Sequence, residues 1–389
     1  MDRKSIFLTL ITSLSLFACS SKVPYDVEVR VIEPTCISEG YTEHTRNDGY
    51  VYRDNIVPKS EQHHYQDLTI GGDDGIVYHI CDVCGHLQYD FVEQTFDTNV
   101  EIDLNREKPV FTDHSVMPVS MILENNPDDA IIKIRKSEAH GAKGIMVYIT
   151  AFNREYWNIN DLQRIMYCTN LPVLAIAYNG NFVGNSVNQS WEDFASLLKL
   201  SVQAGACAVD MPGYLFTPNY DDIPNQNTNL KPTYVAEGVD VSFVDAKAKE
   251  ISLDKTVIAK QQQFISEIHE LGGEVLYSAH VGVQMDYSQI VSAAKFIQSV
   301  GADVAKIVLS GSSKETVIEH LKACMILENE LDIKFSVHGQ STLSRLMCPM
   351  FGSYIAFCVD EYTDSETNIQ IDLATMIAIL ESPELSGNH

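Results

Sequence analysis

From about residue 105 the chain alternates between two textures: short apolar runs, and longer stretches with apolar residues at helical spacing. The runs 118–122, 144–149, 171–177 and 206–211 predict strands buried on both faces, because they lack the polar alternation of a half-exposed strand. Between and after them, 128–140, 160–167 and 191–204 predict helices. Residues 212 to about 253 interrupt the rhythm with Asn, Asp, Pro and Tyr, and read as an insertion. The pattern then resumes. Helix 258–271 ends at Gly272-Gly273, strand 274–279 precedes helix 287–300, and strand 302–309 precedes helix 314–327. Strand 333–337, short helix 341–347, strand 353–358 and helix 372–380 close the series. Eight strand–helix pairs over this length are the arithmetic of a (β/α)8 TIM barrel, occupying 100–389.

The preceding segment has another texture. Residues 25–99 are rich in Thr, Tyr, His, Gly and Asp, and Val27 to Ile32 alternates like an exposed strand, which predicts a small, mainly β module. It holds Cys36, the pair His63-His64, and Cys81-Asp82-Val83-Cys84-Gly85. A Cys-x-x-Cys-Gly turn points two sulfurs at one centre, and a further Cys and a His complete a tetrahedral zinc set. Cys36, His63, Cys81 and Cys84 are the candidate ligands, with His64, His44 or His86 as replacements for His63. A Cys81–Cys84 disulfide and unpaired thiols are the competing readings. The phrases 34–41 and 52–58 resemble small cysteine-rich repeats of bacterial surface proteins, although Arg46 and Asp48 stand about where those repeats carry Cys-x-x-Cys. A closed set of four protein ligands would be structural, not catalytic.

The first 18 residues read as a signal peptide: Arg3 and Lys4 lead an apolar run, 6–17, too short to remain as a membrane span. Leu16-Phe17-Ala18-Cys19 resembles the bacterial lipoprotein box, cut before a lipidated Cys19. The expectation is export to the cell envelope and a membrane association made only through that lipid; an ordinary secretory signal is the alternative. Residues 19–99 then comprise anchor, linker and module.

Composition is ordinary for a globular protein, with 389 residues, 45% hydrophobic and 21% charged. The formal charge of −26 argues against nucleic acid or an anionic membrane surface as partner. A small anionic substrate is compatible with a locally positive site.

One residue breaks the apolar pattern of its strand. Lys306 stands inside Ala302-Asp303-Val304-Ala305-Lys306-Ile307-Val308-Leu309, where burial is expected to favour the neutral, nucleophilic amine. A snorkelling or paired structural lysine is the plainer reading. Its position on the sixth strand shifts the weight, because barrel chemistry sits at the C-terminal ends of strands. His280 falls just past the end of the fifth strand, and Arg345 in the short helix after the seventh, where a guanidinium can hold a carboxylate.

The motifs around these residues resemble type I 3-dehydroquinate dehydratase. Gly301 to Ile307 is similar to that family's lysine strand, Ser278-Ala279-His280 to its Ser-x-His segment, and 341–353 to its Ser-Arg and Pro-x-Phe-Gly-Ser signature. The resemblance spans roughly 118–380 and implies imine formation at Lys306, proton transfer by His280, and substrate contacts from Arg345, Gln370 and Ser365. It implies no cofactor for catalysis, and a keto acid as substrate. Several family positions differ. The second-strand Glu-x-Arg is replaced by Met146-Val147-Tyr148, and the third-strand arginine and following glutamate are absent from 178–182. The aspartate after the histidine is Val281, and Glu366 stands where the family has a serine, beside Ser365. Losing such clamp residues changes the substrate or costs activity. Aldol cleavage through the same lysine, or ligand binding without turnover, are the alternatives.

Overall fold

The computed structural model describes residues 23–60, 62–68, 76–91, 96–113, 116–177, 190–217, 238–360, 362 and 369–381. The expected signal peptide, Cys19 and Ser365 lie outside them. The chain divides into two compact units, 1–71 with 76–92, and 72–75 with 93–389.

The smaller unit contains two antiparallel sheets. One joins β1 (Asp26–Ile32), β2 (Gly40–Arg46) and β3 (Val51–Val57); the other joins β4 (Tyr65–Leu68), β5 (Ile76–Cys81) and β6 (Leu87–Phe91), each in sequence order. Where side chains are described in this unit, only Gly40 and Cys81 are buried, and every residue of β1 is exposed.

The larger unit is the expected barrel. Its parallel strands are β7 (Met117–Ile122), β8 (Gly144–Tyr148), β9 (Val173–Ile176), β10 (Ala208–Pro212), β11 (Glu274–His280), β12 (Val304–Leu309), β13 (Lys334–Gly339) and β14 (Ile355–Val359). A two-residue strand, β15 (Ile371–Asp372), adds to β14. Alternating with them are α1 (Pro127–Ala139), α2 (Ile159–Tyr167), α3 (Trp191–Gln203), α4 (Lys255–Glu270), α5 (Tyr287–Val300), α6 (Lys314–Glu330), α7 (Thr342–Met347) and α8 (Leu373–Leu380). Each helix starts on a side-chain cap: Asn126, Asn158, Ser190, Asp254, Asp286, Ser313, Ser341 and Asp372 all accept from first-turn amides.

Ladder hydrogen bonds run from β13 through β12, β11, β10, β9, β8 and β7 to β14. The remaining gap is bridged by Tyr354 N–H donating to the Phe335 carbonyl at 2.7 Å. The Ser353 hydroxyl also accepts from Val337 N–H and donates to its carbonyl. That service explains why β14 begins at Ile355 and not at the expected residue 353. Two cores result. Outward residues such as Ala305, Ile307 and Val337 pack under the helices, while Val119, Met146, Leu174, Ile176, Leu276, Val304 and Phe357 fill the interior. Phe111 belongs to the inner cluster, and its carbonyl accepts from the Tyr354 hydroxyl. Glu274, opening β11, accepts from the Phe111 and Thr112 amides. The N-terminal end of the barrel is therefore packed and polar-locked, and the chemistry-bearing side chains gather towards the other end.

Among the described residues, no helix is long and apolar enough to cross a membrane.

Candidate active site

Strand register places the reacting groups. Lys306 pairs with Ser278 on β11 and Ser336 on β13, and His280 pairs with Val308. Side chains two residues apart share a face, so Ser278 and His280 line the same interior wall, with His280 nearer the C-terminal end. His280 is the last residue of its strand, one place earlier relative to the strand end than the sequence suggests.

Lys306 is 5% exposed, but it is not the isolated amine that its strand predicts. Its Nζ lies 3.0 Å from Oδ2 of Asp210 on β10, and 4.8 Å from the ring centroid of Phe357 on β14. The Ser278 hydroxyl donates to Asp210 Oδ1. One fully buried carboxylate thus holds both neighbours. Asp210 carries the same sequence signal as Lys306, a charge inside the apolar run Ala208-Val209-Asp210-Met211, outside the motifs that resemble the family.

His280 also has a carboxylate partner. Its Nδ1 is 3.1 Å from Glu250 Oε2, and its own backbone N–H donates to the same oxygen at 2.7 Å. An Nδ1–H held by a carboxylate leaves the lone pair on Nε2, the arrangement of a general base. Glu250 adopts φ 59°, a left-handed conformation rare for a residue with a side chain. Its approach depends on Gly213, where a Cβ would come within 2.0 Å of the Glu250 carbonyl oxygen. The end of the expected insertion therefore supplies an acid to the site. Lys247, on the same turn, is exposed.

Arg345 is buried on α7, contrary to a merely solubilising role, and donates from Nη1 to Gln370 Oε1 at 2.8 Å. Burial pushes its guanidinium down to about 10, against a smaller opposing influence from Tyr148. Arg345 and Gln370 thus meet at one place, as do Lys306 and its neighbours. Cys36, His63, Cys81 and Cys84 come together in the smaller unit.

His338 on β13 is a site residue that the sequence reading missed. It is 4% exposed, packs edge-on against Phe357 at 5.6 Å, and has no described hydrogen-bond partner at either ring nitrogen. Burial, then the charges of Arg345, Lys306 and His280, hold it well below the usual imidazole range, so it is neutral. The Ser336 hydroxyl and Arg345 Nε are buried and unpartnered in the same way. Ser336, His338 and Arg345 thus bring several buried polar atoms together beside the Lys306 wall.

A groove of about 1200 Å³ lies by the N-terminal ends of β13 and β14, lined by Lys334, Phe335, Met350 and Tyr354. None of the groups described above lines it. The convergent polar chemistry, not the groove's size, identifies the site.

The fold is a (β/α)8 barrel with a buried lysine–aspartate pair among its strands. The model of the family described as type I 3-dehydroquinase matches residues 234–385, a span that includes Lys306, His280, Arg345 and Gln370. Type I 3-dehydroquinate dehydratase from Clostridium difficile, solved with covalent modified comenic acid, aligns at 16% identity with TM-score 0.50, over 69% of this chain and 93% of that one. The 3-dehydroquinate dehydratase from Geobacillus kaustophilus aligns at 14% identity with TM-score 0.49, over 69% and 92%. The Enterococcus faecalis enzyme gives 15% and 0.47, over 68% and 93%. A search of the curated proteins finds no match.

Proposed function

We propose that the barrel is a Schiff-base-forming hydro-lyase acting on 3-dehydroquinate or a related hydroxy-keto acid. The observation that carries this reading is the buried Lys306–Asp210 pair on the same barrel wall as the Glu250–His280 pair. The family match over 234–385 supports it.

The chemistry follows from those groups. The Lys306 amine adds to the substrate ketone and expels water, giving a cationic iminium. Asp210, already 3.0 Å from Nζ, is the counter-charge for that cation. His280, oriented by Glu250, takes the proton from the carbon next to the imine, and the electron pair moves onto the imine nitrogen as an enamine. The enamine then expels the β-hydroxyl, which leaves as water with the proton carried by His280. Hydrolysis of the conjugated iminium releases an enone and restores the lysine. Arg345 anchors a carboxylate, with Gln370 beside it. Ser336 and neutral His338 supply donors and acceptors to substrate hydroxyls. Met146 and Tyr148, at the place of the family's charged Glu-x-Arg, line the opposite side as buried residues. The substrate that fits carries one anchored carboxylate and otherwise neutral polar groups.

The test is elimination itself. With 3-dehydroquinate, the expected product is a conjugated enone lighter by one water, seen by ultraviolet absorbance and mass spectrometry. Cleavage of a carbon–carbon bond would make it an aldolase, and saturable binding with no product would make it a binding protein.

A further inference from the structure

The smaller unit contains a second constellation, unrelated to the barrel chemistry. The ligand atoms of Cys36, His63, Cys81 and Cys84 all lie within 4.8 Å of one another. They come from separated parts of the chain. Cys36 sits in the β1–β2 connection, His63 just before β4, Cys81 at the end of β5, and Cys84 in the turn to β6. From the geometry we infer that these four residues bind one zinc ion, which staples the two small sheets together.

The distances favour a metal over a disulfide. Cys36 Sγ and Cys81 Sγ are 3.7 Å apart, and His63 Nδ1 is 3.2 Å from Cys84 Sγ. Zinc–sulfur and zinc–nitrogen bonds at tetrahedral angles place two sulfurs about 3.8 Å apart and a sulfur and nitrogen about 3.6 Å apart. A disulfide requires about 2.0 Å, and Cys36, Cys81 and Cys84 are unbridged in this structure.

The surrounding backbone is shaped for thiolates. Gly85 N–H donates to the Cys81 carbonyl at 2.9 Å, closing the Cys-x-x-Cys turn, and Gly85 takes φ 72°, which favours glycine. The His86 backbone N–H is directed at Cys84 Sγ, 3.4 Å away. Such an amide stabilises a metal-bound thiolate, as outer-shell partners do.

The structure also chooses among the histidines. His44 is held between Asp26 and Asp54 on the first sheet, at 2.9 and 3.0 Å. The His64 side chain is 80% exposed, near Asp82. His86 accepts or donates through Nδ1 at 2.9 Å to the Tyr65 hydroxyl, and its ring stacks on His63 with centroids 4.4 Å apart. Among the described residues, His63 is the histidine whose ring nitrogen groups with the three cysteine sulfurs. The role is structural. Four protein ligands leave no open position for a substrate.

The test is metal analysis of the purified full chain. About one zinc per chain is expected, and cobalt exchanged into the protein should show the visible absorption of a tetrahedral thiolate site. His63→Ala and Cys84→Ser should lose the metal, whereas His64→Ala should retain it. Should either ligand variant fail to fold, stoichiometry and cobalt spectrum of the unaltered chain still decide. A metal-free protein, or Cys81–Cys84 found as a disulfide by peptide mapping, would overturn the assignment.

Discussion

Two walls of the barrel mouth treat their polar groups in opposite ways. On β10 to β12 every described acid or base has a partner: Lys306 with Asp210, Ser278 with Asp210, His280 with Glu250. On β13 and α7, Ser336 Oγ, both nitrogens of His338 and Arg345 Nε are buried without one. In the proposed mechanism the first wall carries the reacting groups and the second receives the substrate.

Breaking the reacting wall should have the larger effect. His280→Ala removes the base and is expected to lower kcat about a thousandfold, while leaving imine formation at Lys306 intact. Steady-state assays beside adduct formation separate the two, and unchanged turnover would remove His280 from proton transfer. Glu250→Gln keeps an acceptor near Nδ1 but loses the charge that supports a protonated His280. A fall of about a hundredfold in kcat is expected, with KM little changed. A merely structural Glu250 would alter stability and leave kcat where it was.

The support behind the receiving wall predicts a pH dependence of stability. His320 on α6 bonds through Nδ1 to the Ser344 hydroxyl at 2.9 Å, and that hydroxyl also accepts from Gly339 N–H at the end of β13. Burial pushes His320 down to about 4 from 6.5. The unfolded chain therefore binds a proton in a range where the folded protein does not. Stability is full above about pH 6.5 and falls by about 3 kcal/mol as pH drops towards 4. His338 adds a change of the same sign. Urea unfolding at stepped pH should show the loss, and His320→Gln should reduce its slope by about one proton. An unaltered slope would contradict the assignment.

The smallest effect belongs to specificity. His338→Met keeps the volume of the receiving wall but removes two polar atoms. KM should rise about tenfold, with kcat less affected. A variant with unchanged KM would exclude His338 from substrate contact.

The barrel was legible in the sequence because strands covered on both faces appear as short apolar runs, and capped amphipathic helices separate them. Lys306 was legible for the same reason, as a charge where none should be. Asp210 offered that signal equally, in Ala208-Val209-Asp210-Met211. His338 offered a subtler one: Ser336 and His338 alternate with Phe335 and Val337, marking a polar interior face on a buried strand. Glu250 had no local signal. It sits 30 residues before His280 in an irregular turn, and its function comes from a left-handed backbone and a glycine at position 213. No glutamate stands at 178–182, and the turn at Glu250 supplies a carboxylate to His280 instead.

The most direct test of the two-wall account is borohydride reduction of the protein with 3-dehydroquinate or a related hydroxy-keto acid, followed by peptide mapping. The expected result is one covalent adduct, at Lys306, formed by the unaltered chain and by His280→Ala, and lost in Lys306→Met. Adducts scattered over surface lysines, or none at Lys306 while elimination proceeds, would contradict imine catalysis in this barrel.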